Sequence, residues 1–457
     1  MGVRLRENTM LLTKTETHFI PESHPFYRWA VEECGKAATL YNYVNYLKRQ
    51  AFTGKHEQIP AYADLVKQGK FLSAFDIITR MRKLREPLYR AMLKSAEAGQ
   101  VVLKVEQAWR SWHRALQVYR RRPAAFNGCP RMPKYLPKRE NGGLYMLIFG
   151  ANDATLKQDG SIHLNRRLKL PIKTTLSAFR QVHIVPVVGG VNICLIYTKE
   201  VSPPRPDATR AIGVDVGINN LMAITSNVEP ISLLANGRPL KSMNSYFNRK
   251  AARLRAQLEQ QKLKSSKRLR RLQRKRKHKL RDYLHKASRR VVALMQAHNI
   301  GSCYIGRIKR GTKRERGAPG FCGIPLGILV DMLRYKIAEA GGSLVEVDEG
   351  YTSLCSFPDA EPVAAHSCYM GRRLTRGLFV SAGGRAINAD INASLNILRK
   401  GSGQPVTDCD ALYHPTQIDI EMKQPSGGAV GCTGPVLGPL SSLQEGIKPA
   451  TSAGCSI

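Results

Sequence analysis

The run Ala211-Ile212-Gly213-Val214-Asp215-Val216-Gly217 constrains this chain more tightly than any other stretch. An apolar strand leads into an aspartate. A carboxylate buried on such a strand is costly unless it meets a metal or a polar partner. The two glycines permit a tight turn and a close approach by another backbone. The plain alternative is an acid that merely caps a turn.

Two further acids lie on comparable backgrounds. Asp390 sits in Ile387-Asn388-Ala389-Asp390-Ile391-Asn392-Ala393, where the small alanines suit a helix packed closely on a sheet. Its plain alternative is a helix cap. Glu349 closes the run Leu344-Val345-Glu346-Val347-Asp348-Glu349. Three carboxylates at strand ends and on a packed helix suggest a two-metal nuclease. Two Mg²⁺ ions about 4 Å apart would bind the attacking and leaving oxygens. Mg²⁺ prefers hard oxygen donors and keeps several waters, so three carboxylates suffice.

Charge points the same way. The chain has 72 Lys and Arg against 34 Asp and Glu, a formal net charge of +38. So large an excess repels itself in a compact fold and is relieved by a polyanion. Nucleic acid is the expected partner, because phosphate contacts release counterions. A basic membrane-surface protein is the alternative. No run of about 20 apolar residues predicts a membrane span. The opening MGVRLRENTM lacks the apolar stretch of a signal peptide. The ten cysteines include no C-x-x-C pair. A reduced, cytoplasmic and nucleoid-associated chain is expected.

The texture along the chain is multidomain α+β. A strand is expected near Met10–Phe19, then helices from Pro25 to about Tyr119. Trp109 and Trp112 recur at helical spacing and read as packing residues rather than stacking platforms. After Arg122 come short strands, with hairpin signals at Asp159-Gly160 and Gly189-Gly190. The helical block then reads as an insertion into a small antiparallel barrel or sheet. Ser202-Pro203-Pro204-Arg205-Pro206 is a linker. Two basic helices are expected near 244–263 and 267–297. Lys267–Lys279 contains no acid, so Lys267, Arg270 and Arg274 are candidates for phosphate contact. A strand at Ser302–Ile305, a helix at Leu326–Ala340 stopped by Gly341-Gly342, a strand at Ser343–Glu349 and a helix at Ala389–Arg399 follow. Beyond Lys400 the Gly, Pro, Ser and Thr content predicts a disordered tail.

Taken together, Gly213-Val-Asp-Val-Gly-Ile-Asn-Asn-Leu221, Tyr351-Thr352-Ser353, Gly371–Phe379, Asn388-Ala-Asp-Ile-Asn-Ala-Ser394 and Phe126-Asn-Gly-Cys-Pro-Arg-Met-Pro-Lys-Tyr135 resemble the TnpB proteins of insertion sequences. Type V CRISPR effectors are their relatives. The resemblance spans most of residues 10–400. It implies a wedge β domain (1–24 and 123–207), a helical recognition lobe (25–122), and an RNase H-like RuvC domain (208–352 and 387–400) with a basic helical insertion (244–297). An insert contacting target nucleic acid (353–386) and a tail (401–457) complete it. The implied activity is Mg²⁺-dependent, RNA-guided cleavage of DNA. A guide RNA and a double-stranded target are the partners, and Asp215, Glu349 and Asp390 the catalytic, metal-holding set. A nuclease-inactive, RNA-guided DNA-binding repressor is the alternative.

Two departures from the family pattern bear on this. The second RuvC motif usually places a glutamate after an apolar strand, where Cys303-Tyr304-Ile305-Gly306 has glycine. Either the site is inactive or another acid substitutes. Glu349 fits, since neighbouring strands lie about 4.8 Å apart. Asp348 is the fallback, although alternation turns it to the other face. The family's two C-x-x-C pairs are also reduced to Cys355, His366 and Cys368, so no zinc site is expected. Arg372, Arg373 and Arg376 in this insert suit phosphate contacts.

Overall fold

The computed structural model describes residues 9–66, 72–137, 143–165, 168–308, 324–404, 406, 410–418 and 420. The chain divides into two compact units, one spanning Leu11–Glu200 and one formed mainly from Val201 onward.

The first unit opens with β1 (Met10–Pro21), followed by α1 (Pro25–Phe52), α2 (Ala74–Lys83), α3 (Pro87–Arg90) and α4 (Ser95–Arg121). His24 caps α1 by accepting from the Phe26 N–H, and Pro25 occupies a first-turn position that needs no N–H donor. Strands β2 (Leu147–Gly150), β3 (Ala154–Leu156), β4 (Ser161–Leu164), β5 (Leu168–Lys173), β6 (Gln181–Val187) and β7 (Gly190–Val201) complete it. They form two sheets, ordered β1-β7-β6-β2 and β3-β4-β5. The helices interrupt the first sheet in sequence but not in packing. Ala30, Val44 and Val105 from the helices share one core with Phe149, Val182 and Ile193 from the strands. Residues 24/25 and 122/123 are therefore not breaks in the packing. Trp109 is buried and donates to Asn45 Oδ1 at 2.9 Å, while Trp112 donates to the Pro130 carbonyl at 3.0 Å. Both tryptophans are occupied within the helical core.

The second unit is built on β8 (Asp207–Val216), β9 (Asn220–Ser226) and β10 (Ser232–Asn236), an antiparallel meander. Helices α5 (Arg238–Gln260) and α6 (Lys267–Ala297) follow, then β11 (Ile300–Gly306), α7 (Leu326–Glu339) and β12 (Ser343–Val347). Both β11 and β12 run parallel to β8. A small sheet comes next, from β13 (Arg372–Arg373), β14 (Leu378–Val380) and β15 (Ala386–Asn388), before α8 (Ala389–Ser402) and β16 (Thr416–Ile418). The main sheet is ordered β12-β11-β8-β9-β10-β16.

Strand alternation sets two layers against this sheet. Ile212 and Val214 of β8 join a core with Tyr283, Leu284 and Leu333 of α6 and α7. Gly213, on the opposite face, receives α8. A Cβ there would lie 2.7 Å from Leu398 Cβ and closer still to the Ser394 carbonyl oxygen. Only glycine admits the helix at this distance.

One sequence expectation needs correction. The chain beyond Lys400 is not uniformly irregular. Thr416–Ile418 pair in parallel with Leu233–Ala235, and Leu412 and Tyr413 are buried beside Leu234, Phe379 and Ile387. The Ser232 hydroxyl donates to the Leu412 carbonyl at 2.7 Å. A few apolar residues in a Gly- and Ser-rich context suffice, because the edge of β10 supplies the hydrogen-bonding template. Residues 405, 407–409, 419 and 421–457 of the expected tail lie outside the described residues.

Candidate active site

Geometry along β8 and α8 brings Asp215 and Asp390 to one place. Asp215 is two residues beyond Gly213 and shares its face of the strand. Asp390 is one helical turn before Ser394, which rests on Gly213, and its Oγ donates to the Gly213 carbonyl at 2.9 Å. Two residues of strand and one turn of helix cover similar distances, about 6.6 and 5.4 Å. Asn388 caps α8, accepting from the N–H groups of Asp390 and Ile391. Asp390 thus stands in the first turn, where the helix dipole favours an anion.

Glu349 arrives from the neighbouring strands. Val214 pairs with Ile305 of β11, and Gly306 pairs with Val347 of β12. Continuing the first register by one residue sets Gly306 beside Asp215. The Glu349 side chain lies across Gly306: a Cβ there would fall 2.8 Å from Glu349 Cγ and 2.9 Å from Cδ, and nearer still to Oε1. The Glu349 side chain thus occupies the volume that a side chain at position 306 would take.

Asp215 retains some surface but is enclosed on most sides by protein. Burial, first, and then the Asp390 and Glu349 carboxylates push its pKa up to about 7. The Arg373 guanidinium offsets part of this. Arg373 Nη2 lies 3.4 Å from Asp390 Oδ1, and Asn220 Nδ2 donates to Asp390 Oδ2 at 2.9 Å. Asp348 turns elsewhere, accepting from the Gly350 N–H at 3.2 Å and standing 3.9 Å from Lys400 Nζ.

Among the described residues, no three His, Cys, Asp or Glu side chains converge as a ready-made metal-ion cage. The donor set nevertheless fits a hard divalent cation. Carboxylate oxygens are the hard donors such an ion prefers, and the Arg373 guanidinium offsets part of the charge at Asp215 and Asp390.

Several supporting residues were not singled out by the sequence reading. The Thr352 hydroxyl and N–H both donate to the Glu349 carbonyl, at 3.0 and 3.2 Å. Asn396 Nδ2 donates to the Thr352 and Cys355 carbonyls, at 2.9 and 2.8 Å. Asn392 accepts from the Phe357 N–H and donates to the Cys355 carbonyl, each at 2.9 Å. One helix therefore carries Asp390 and anchors the loop that holds Glu349. Asn388, Asn392 and Asn396 recur at the i, i+4 spacing of a single helix face, a signal visible in the sequence.

The insert is braced by carboxylates. Buried Glu361 accepts from the Ser356 and Met370 N–H groups at 2.6 and 3.0 Å, and Asp359 from Ser356 Oγ and the Ala382 N–H. Cys355 Sγ donates to the Ala364 carbonyl at 3.5 Å, His366 Nε2 lies 2.8 Å from the Pro362 carbonyl, and Cys368 is exposed. Arg372 and Arg376 are exposed, whereas Arg373 reaches both Asp390 and the Arg376 carbonyl. On α6, Lys267 is exposed, and Arg270 and Arg274 are half-buried with contacts inside the protein.

Residues 194–311 match the family model described as a probable transposase, OrfB_IS605, which is the TnpB group. Residues 327–397 match the Cas12f1-like TNB domain. The TnpB resemblance holds. The TnpB-like match covers β8 to β11, and the TNB match runs from α7 into α8. The chain is also similar to two solved structures. One is titled a Cas12f1-sgRNA-target DNA complex, at 13% identity and TM-score 0.47, covering 81% of this chain and 82% of that one. The other is titled a CRISPR-Cas12f ternary complex, at 12% identity and TM-score 0.32, covering 82% and 81%. No curated protein matches. Among the described residues, no helix is long and apolar enough to cross a membrane.

Proposed function

We propose that this protein is an RNA-guided DNA endonuclease whose RuvC-type site comprises Asp215, Glu349 and Asp390. The observation that carries the reading is the Glu349 side chain lying across Gly306, beside Asp215. The sheet order supports it: an antiparallel three-stranded meander followed by two strands parallel to its first is an RNase H-like arrangement. The β-rich part of the first unit is read as the wedge that grips the guide RNA. Its helices are read as the recognition lobe, and 353–386 as the insert that touches the target strand. A guide RNA and double-stranded DNA are the proposed partners, and the nucleoid the proposed location.

Asp215, Glu349 and Asp390 would hold Mg²⁺. When bound, the metal supplies charge stabilisation for the phosphoryl oxygens and activates the attacking water. The chain's own residues set the stage. Asn220 fixes one Asp390 oxygen and leaves the other toward Arg373. Thr352, itself held by Asn396, fixes the Glu349 backbone, so that its carboxylate reaches back over Gly306. Arg373 links Asp390 to the insert. An arriving phosphate is read as taking that guanidinium as a bidentate partner and so freeing the carboxylate. Arg372 and Arg376, both exposed, are read as following the same strand.

The test is cleavage of a DNA library bearing the guide's complement, by protein purified with co-expressed guide RNA, in Mg²⁺ or EDTA. Mg²⁺-dependent cuts that vanish in Glu349→Ala support the full reading. Cuts that survive in Glu349→Ala move the third carboxylate elsewhere. Guided binding without cutting would leave a DNA-binding repressor.

A further inference from the structure

We propose that the groove between α5 and α6 holds one unpaired nucleotide, stacking its base on Tyr246 and gripping its phosphates with Arg249, Arg253 and Arg268. This rests on the nucleic-acid reading above and names a contact that reading does not supply. The two helices form a hairpin, pinned by Ala251, Leu254, Leu258 and Leu269 with Leu272 against them. A groove of about 430 Å³ opens beside that apolar seam. Sites for small organic groups fall within about 300–1,000 Å³. Its lining includes Tyr246, Arg249, Lys250, Arg253 and Gln257 of α5, and Arg268 of α6.

Three features argue for a nucleotide. The first is charge. The whole hairpin, 238–297, contains only two acids, Glu259 and Asp282, and Asp282 pairs with Lys286 at 2.7 Å. Among the described residues, no carboxylate pairs with Arg249, Arg253 or Arg268. Cations gathered without counter-charge call for an anion. The second is Tyr246. Its ring is 50% exposed, while adjacent Phe247 is 6% exposed and packs inward. Lys250 Nζ donates to the Tyr246 hydroxyl at 3.1 Å and lies 5.4 Å from the ring centroid, steadying the ring. The third is spacing. Residues 246, 250, 253 and 257 follow one face of a helix, so the ring, the cations and the Gln257 amide face one groove. That amide carries both donors and an acceptor for a base edge. Paired bases remain stacked on one another, so a ring among cations suits an unpaired base. A guide RNA and the displaced strand of a DNA target both offer this chemistry.

The full chain is tested with short single-stranded RNA carrying one iodouridine, its deoxy counterpart, and the matching duplex. After irradiation, adducts are mapped by mass spectrometry, and binding is read by anisotropy across a salt series. Adducts at Tyr246 with single strands, but not with duplex, are expected. Adducts confined to RNA assign the groove to the guide, and those confined to DNA assign it to the displaced strand. Tyr246→Ala should weaken binding about 5- to 150-fold with its salt dependence unchanged, because one stacked base is lost. Tyr246→Phe should bind like the parent. Arg253→Gln should reduce the logarithmic salt slope by about 0.7. Since Tyr246 is exposed, both Tyr246 variants should melt like the parent. Parental affinity in Tyr246→Ala, or adducts only elsewhere, overturns the proposal while leaving cleavage untouched. A Tyr246 adduct in a protein that never cleaves would sink the nuclease reading and keep the groove.

Discussion

The Gly306→Ala substitution adds one methyl group and tests the site directly. The new Cβ would stand 2.8 Å from Glu349 Cγ and 2.9 Å from Cδ, with Oε1 nearer. Carbon atoms pack at about 3.5–4.0 Å, so the Glu349 side chain must retreat by roughly an ångström. Its backbone cannot follow, because Thr352 and Asn396 tether it. A misplacement of about 1 Å in a reacting constellation costs roughly 10²-fold in rate. Folding should change little, because the atom that yields is on a flexible, half-buried side chain. The assay is single-turnover cleavage of guided target DNA at saturating Mg²⁺, beside a melting curve. A loss of about two decades with an unchanged melting midpoint is expected. The double variant Gly306→Glu, Glu349→Gly moves the carboxylate to the neighbouring strand and should recover activity that each single variant lacks. Parental rates in Gly306→Ala would refute the reasoning, since a carboxylate in use cannot be displaced without effect.

The remaining expectations concern the same unit and the helical core. Asp215→Asn and Asp390→Asn should each lower guided cleavage by roughly 10⁴-fold while guided binding, read by gel shift, persists. Asn396→Ala removes the Asn396 donor from the Thr352 carbonyl, while the Cys355 carbonyl keeps Asn392; about 1–3 kcal/mol of stability should be lost, seen in urea melts, together with cleavage. In the first unit, burial and then Glu33 raise the Glu97 pKa from 4.5 to about 8. The folded state therefore keeps a proton that the unfolded chain releases. This contribution is fully present below pH 4.5 and is lost as the pH rises to about 8, by at most about 5 kcal/mol. Glu97→Gln should flatten that slope and raise the urea midpoint at pH above 8; an unchanged pH profile would place the titration elsewhere.

Local signals were legible where one residue type has one physical use. Gly341-Gly342 after an apolar helix, the Gly189-Gly190 hairpin and the one-signed stretch of α6 can each be read without a partner. Gly213 reads as a place for close backbone approach, and the approaching group is the Ser394 carbonyl. What sequence could not supply depends on tertiary pairing. β16 is three residues long and exists because β10 has a free edge beside it. Arg373 reads as a phosphate ligand among three exposed arginines, yet only folding of the insert sets it against Asp390. Thr352 belongs to a recognisable tripeptide, but its hold on Glu349 is a matter of loop closure.

Glycine at 306 and glutamate at 349 are best understood as one steric arrangement in two places. β11 and β12 are paired through Gly306 and Val347, so a side chain two residues beyond Val347 can fold back over the neighbouring strand only if that strand presents no side chain of its own. Glycine is the residue that meets this condition. A glutamate at 306 and one at 349 would compete for the same volume beside Asp215, and the bulk that excludes one admits the other. The proposed relocation therefore requires three things at once: an empty Cα on β11, a glutamate at the end of β12, and an anchor for the loop behind it. Gly306, Glu349 and the Thr352–Asn396 hydrogen bonds supply them, and the anchor comes from the helix that carries Asp390.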